Sequence, residues 1–218
     1  MTPIDYLLYF IYALASIFVI VNPIEATIVF VSLTAGMGSD EKRRISMRTT
    51  SVAFAIAFLF ALAGDFVLTL FGITVDSVRV AGGILLFLVA VDMLRGGRYQ
   101  RKVTEAELRD ANHREDISVF PLATPLLTGP GTITTVIVLM GAAATILEKS
   151  IVLLALILTF LTTYYILKFS DFIDKALGIT GIMVTTRIMG LLLGAIAVNF
   201  VALGTWNLYQ SLAGFKII

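Results

Sequence analysis

Two motifs interrupt long apolar stretches with residues able to hold a small polar solute: Asn22-Pro23-Ile24-Glu25 and Thr128-Gly129-Pro130-Gly131-Thr132. Proline suits the first turn of a helix, where its missing N–H is no loss, and Asn or Gly suits the cap before it. Asn22 and Gly129 occupy those cap positions, so each motif reads as the start of a half-helix. The first N–H groups, at Ile24 to Ala26 and at Gly131 to Ile133, then point into the break with the positive end of the helix behind them. Such an end attracts a carboxylate. Thr27, Thr128, Thr132 and Thr134 add hydroxyl donors, while Asn22 or a freed carbonyl would accept from an ammonium group. Gly129 and Gly131 leave room for nothing large. Together the two breaks read as one site for a small zwitterion. The competing reading is a pair of proline kinks healed by neighbouring helices.

Glu25 is the deepest charge in the apolar spans, and a charge at a membrane helix centre costs roughly 2.5 kcal/mol or more. Three residues after Asn22, its carboxylate could cap its own helix, bind a substrate ammonium or carry a coupling proton. The second motif carries Thr132 at the equivalent position, so a proton role would be asymmetric. Asp65 with Arg79, and Asp171 with Arg187, read as two structural or gating ion pairs, one in each half; the alternative is single charges snorkelling at the interface. Asn199 and Asn207 suit bonding across helices better than ligand binding.

The elements that must position these residues are membrane helices. The chain is 58% hydrophobic and 14% charged, with mean hydropathy +0.96, more apolar surface than a soluble core of 218 residues can bury. Its net charge of +1 points to no acidic or nucleic-acid partner, and without cysteine it has no disulfide frame or thiolate metal site. Six segments can cross roughly 30 Å of hydrocarbon: Tyr6 to Thr34, Thr49 to Phe71, Val78 to Leu94, Ile117 to Leu147, Ile151 to Phe169 and Ile188 to Leu212. The first and fourth are over-long, as expected if each contains a non-helical turn. The N-terminal stretch reads as a retained span, having no basic n-region or small-residue cleavage site.

Of the 16 Lys and Arg residues, all but Arg79, Lys149 and Lys216 fall in alternate connections, after the first, third and fifth spans. That bias predicts those connections in the cytoplasm and both termini outside. The long connection from Arg95 to Asp116 reads as a solvated hinge with a short surface helix capped by Thr104 and Glu107.

The halves repeat. Asp65-Phe66, Gly72, Ile73 and Thr74 recur as Asp171-Phe172, Gly178, Ile179 and Thr180, and Arg79-x-x-Gly82 recurs as Arg187-x-x-Gly190. Pro23 precedes Asp65 by 42 residues and Pro130 precedes Asp171 by 41. Three spans per unit is an odd number, so the second copy enters the membrane from the opposite side. The predicted fold is therefore all-α and integral to the membrane, with six transmembrane helices in a 3+3 inverted repeat and broken first and fourth helices. Residues 1–94 form the first repeat, 95–116 the connection and 117–218 the second repeat.

No phosphate-binding glycine loop, His and Cys cluster or Ser, His and acid set is present, so an enzyme or an ATP-driven pump is not expected, nor any cofactor or metal. An arginine ladder and a carbonyl filter motif are absent too, which argues against a voltage-gated or potassium channel. An ion gradient, or downhill exchange, remains as the energy source.

In Asn22-Pro23-Ile24, Pro121-Leu122-Ala123-x-Pro125-Leu126 with Gly129-Pro130-Gly131, Asp76-Ser77-x-Arg79-x-Ala81-Gly82-Gly83 and Thr186-Arg187-Ile188-Met189-Gly190-Leu191, the chain resembles the MarC-like proteins, which include small neutral amino acid transporters of prokaryotes. The resemblance spans nearly the whole chain and implies a six-span protein of the cytoplasmic membrane. For the family's amino acid transporters it implies movement of glycine or alanine driven by an ion gradient, with the proton as the expected coupling ion. Glu25 departs from the small residue that the resemblance leads one to expect there. The reading is thus a secondary transporter of small neutral amino acids that binds substrate between the broken first and fourth spans and alternates access by rocking the halves; an exporter or broad-specificity efflux protein, or a channel or membrane scaffold, are the alternatives.

Overall fold

A computed structural model describes residues 2–95 and 117–214. The expected surface helix at Thr104 to Glu107, and Lys216, lie outside the described residues. The chain winds into α1 (Pro3–Val21), α2 (Pro23–Leu33), α3 (Ser39–Leu70), α4 (Val75–Leu94), α5 (Ser118–Leu127), α6 (Pro130–Ala142), α7 (Ile146–Lys168) and α8 (Ser170–Gly214). Local sequence accounts for most starts. Thr2 and Asp5 form a reciprocal capping box on α1, and Thr74 and Thr145 accept backbone N–H bonds from Ser77 and Glu148, at 3.1 and 3.2 Å.

Among the described residues, five spans are long and apolar enough to cross a membrane: α1 with α2 as one stretch of 31 residues, then α3, α4, α7 and residues 180–214 of α8. The pair α5 and α6, bent by 55°, makes a sixth if it crosses as one. Two boundaries differ from the sequence reading. The basic run Lys42 to Arg48 is helical, because α3 starts at Ser39; at 32 residues it rises about 48 Å and must project beyond the hydrocarbon. Likewise Ser170 to Arg187 is wound, interrupted only at Gly178 (φ 57°), so Arg187 sits within a long helix. Charge marked where hydrocarbon ends, not where the helix ends.

The halves interlock. Among the described residues, the helices of residues 2–95 make little contact with one another and pack on those of 117–214: α1 on α7, α3 on α5, α6 and α7, α2 on α8, and α4 along α8 as the most extensive pair. Two apolar cores result. The larger is built from α1, α2, α3, α5, α6 and α7 around Phe30, Leu122, Leu156 and Phe160. The smaller joins α4 to α8 through Leu86, Met93, Leu193 and Phe200, with Val19 of α1 and Val138 of α6 reaching into it.

Candidate functional site at the helix breaks

At the first break a single residue does the work of two caps. Asn22 takes the left-handed conformation (φ 46°, ψ 59°), which Asn tolerates better than most side chains. Its N–H closes α1 on the Phe18 carbonyl at 3.0 Å, and its own carbonyl opens α2 by accepting from the Ala26 N–H at 3.2 Å. With the backbone N–H already used, Glu25 at the third position of α2 reaches back to the side chain instead, and its carboxylate accepts a hydrogen bond from the Asn22 amide. Neither Asn22 nor Gly129 closes its following helix with a side-chain hydrogen bond.

A cavity of about 70 Å³ opens beside Asn22. Asn22, Glu25 and Ala26 form one wall, Leu126 of α5 another, and Val89, Met93 and Leu193 of α4 and α8 the third. It therefore lies on the seam between the two cores. The volume holds a few waters or a very small solute.

The second break is built differently. In α5, Phe120 and Thr124 are extended (φ −129° and −133°), each preceding a proline in a cis peptide bond, as the steric demands of the residue before proline favour. The Thr128 N–H returns to the Ala123 carbonyl at 2.9 Å, and Gly129 (φ −88°, ψ −177°) leads into α6. A Cβ on Gly129 would stand 2.6 Å from the Pro125 carbonyl oxygen, so the turn has room for hydrogen alone.

The four threonines of the sequence reading are engaged by the protein itself. Thr128 donates to the Ala53 carbonyl of α3 at 2.9 Å, Thr132 to Leu127 at 2.9 Å and Thr27 to Pro23 at 3.1 Å. The Thr134 side chain fills the space over Gly82. Pro23 is buried, Ile24 and Gly131 are half-buried and Pro130 is exposed. The breaks are nonetheless neighbours. A Cβ on Gly131 would lie 3.6 Å from the Ile20 side chain and 2.9 Å from that of Leu86, and Ile20 also lines the cavity. Gly131 stands behind Ile20, and none of residues 128–134 lines the cavity. The apolar lining from α4, α5 and α8 was invisible to a search for polar motifs.

The ion pairs need correction. Arg79 does not bond Asp65; its Nη1 pairs with Asp76, one turn earlier on α4, at 2.9 Å. Asn207 of α8 donates to the same carboxylate oxygen at 3.0 Å, so the group ties α4 to α8, as the Asn207 reading anticipated. Asp65 is exposed. Asp171 pairs with Lys42 of α3 at 2.8 Å, and Arg187 is exposed on α8. The i, i+3 spacing of Asp76 and Arg79 was the overlooked signal. Asn199 faces outward.

This is a multi-pass helical membrane protein with a small polar cavity at an interrupted helix. Residues 7–209 match the model of the MarC family integral membrane proteins, and the chain belongs to that family. It is 42% identical over 196 residues to a UPF0056 membrane protein of Methanocaldococcus jannaschii, covering 90% of this chain and 95% of the relative. A UPF0056 membrane protein of Aquifex aeolicus is 39% identical over 201 residues (92% and 94%), and YvbG of Bacillus subtilis, also a UPF0056 membrane protein, 31% over 205 residues (94% and 97%). No solved structure matches the chain.

Proposed function

We propose that the protein is a secondary transporter of small neutral amino acids in the cytoplasmic membrane, with both termini outside, driven by an ion gradient. The observation that carries the reading is the small cavity at Asn22 and Glu25, with Gly131 of the second break one side chain behind it. From its break each distal half-helix rises about half to two-thirds of the hydrocarbon thickness, roughly 16 Å for the 11 residues of α2 and 20 Å for the 13 of α6. A site at that depth is what alternating access requires. Asn22 and Glu25 suit a substrate ammonium; the first-turn N–H groups of α2 suit its carboxylate, and those of α6 would join only if Ile20 moved aside. Glu25, the acid that lines this cavity, is also placed to carry a coupling proton.

The inverted repeat gains support from pairs that recur with halves exchanged. The packing of α1 on α7 is matched by α5 on α3, that of α2 on α8 by α6 on α4, and that of α2 on α7 by α6 on α3. Gly72 and Gly178, equivalent in the repeat, both have positive φ, 65° and 57°. Interlocked halves do not rock against each other, however. In the proposed cycle the α4–α8 pair, which meets the larger core at the cavity, is the unit that moves.

An efflux protein of broad specificity would need a wide cavity lined by aromatic rings; this one is about 70 Å³ and lined by Val, Leu, Met, Ile and Ala around its two polar residues. Uptake of labelled glycine and alanine into proteoliposomes, with and without a pH gradient, tests the proposal. Saturable, gradient-dependent uptake is expected. Absence of both uptake and binding overturns it, and flux that never saturates would make the protein a channel.

A further inference from the structure

Between α3 and α7 the larger core leaves a second groove, which shares no lining residue with the cavity at Asn22. It encloses about 330 Å³ and is lined by Met47, Ser51 and Phe54 of α3 and by Ile157, Phe160 and Tyr164 of α7. Phe54 meets Phe160 edge to face, with centroids 5.9 Å apart, and closes its floor. Met47, Ile157 and Leu161 are about half exposed on apolar spans, so the groove opens sideways, where hydrocarbon surrounds the protein. From Met47 to Phe54 it runs about 10 Å along the helix, room for part of an acyl chain.

One end of the groove is basic. Arg44 stands three residues before Met47 on α3, and Lys168 four residues after Tyr164 on α7, each on the face that continues the groove. Both are exposed. The bridge between Lys42 and Asp171, at 2.8 Å, fastens the first turn of α3 to the start of α8, three residues beyond Lys168, and so holds the two cations at the same end of the bundle. A cation pair at the level where hydrocarbon gives way to headgroups, above an aromatic-floored slot, has the form of a lipid site with a charge requirement.

We infer that the α3–α7 groove binds an anionic phospholipid, one acyl chain against Phe54 and Phe160 and the phosphate between Arg44 and Lys168. A phosphate free in solution would not use the slot, and a zwitterionic lipid would set its own cation against the pair.

Native mass spectrometry of the full chain, released from micelles containing equal phosphatidylglycerol and phosphatidylcholine, reads the preference directly. At least a fivefold excess of retained phosphatidylglycerol is expected. The double variant Arg44→Gln, Lys168→Gln should reduce it to near parity, and Ser51→Trp, which fills the slot, should remove the retained lipid of both kinds. Equal retention by the unaltered chain overturns the inference. So does a preference that survives the double variant, whose exposed sites keep it folded should Ser51→Trp fail to fold. Phosphatidylglycerol retained undiminished by a folded Ser51→Trp places the lipid elsewhere.

Discussion

At Asn22 one left-handed residue ends α1 and begins α2, and the span runs on for 31 residues; at Gly129 the chain arrives through two extended residues and two prolines and leaves at a bend of 55°. The first interruption costs little backbone order, since the Asn22 N–H and carbonyl both bond within one turn, to Phe18 and to Ala26. The second is held from outside, by Thr128 on the Ala53 carbonyl and by a glycine that admits no side chain. Polar capacity falls the other way. The lightly built break faces the cavity with an amide and a carboxylate, while the heavily braced one spends its hydroxyls on backbone carbonyls. The two breaks are thus built to different ends: the first leaves its polar groups facing a cavity, and the second commits its own to holding shape.

Four substitutions test that division, in falling order of effect. Gly129→Val would drive a side chain into the Pro125 carbonyl, and a loss of about 3 kcal/mol should appear as a collapse of folded yield and of the thermal midpoint in detergent. Glu25→Gln keeps the shape but removes the charge. Glycine uptake should fall about tenfold, a 1.4 kcal/mol difference, with the thermal midpoint unchanged; unaltered uptake and pH dependence would move the site away from the first break. Thr128→Val deletes a buried bond between α5 and α3, so stability should drop by about 1 kcal/mol while uptake per folded molecule stays level. A transport defect there would erase the proposed split. Asn22→Gly should alter stability by no more than about 0.5 kcal/mol, because glycine accepts φ 46° freely, yet it should weaken glycine binding by removing the amide that orients Glu25.

How much was legible beforehand follows the same line. Both breaks could be placed to the residue, because Pro after Asn or Gly inside an uncharged run has few other meanings. The spans were legible from hydropathy, but their ends were not. Lys42 and Arg43 looked like loop residues, and a helix that leaves the bilayer continues in water without any change of period. The Asp65 and Asp171 pairings failed for a related reason. Repeat alignment finds equivalent positions, whereas the partner of a charge depends on which helix lies across from it, and Lys42 came from an element that the alignment never placed near Asp171. The walls of the cavity could not be read at all, since Met93 and Leu193 are ordinary apolar residues until two distant spans meet.

The interlocking of the halves bears on how the protein is made. Because α1, α3 and α4 pack on α7, on α5 and α6, and on α8, rather than on one another, the first three spans have almost no mutual interface to settle into. The contacts that hold them in one bundle are supplied by the later spans. Among the described residues, each half packs far less on itself than on the other. The bundle closes only when the last helix is in place, so a chain truncated before α8 leaves α4 without its chief partner and the cavity without one of its walls.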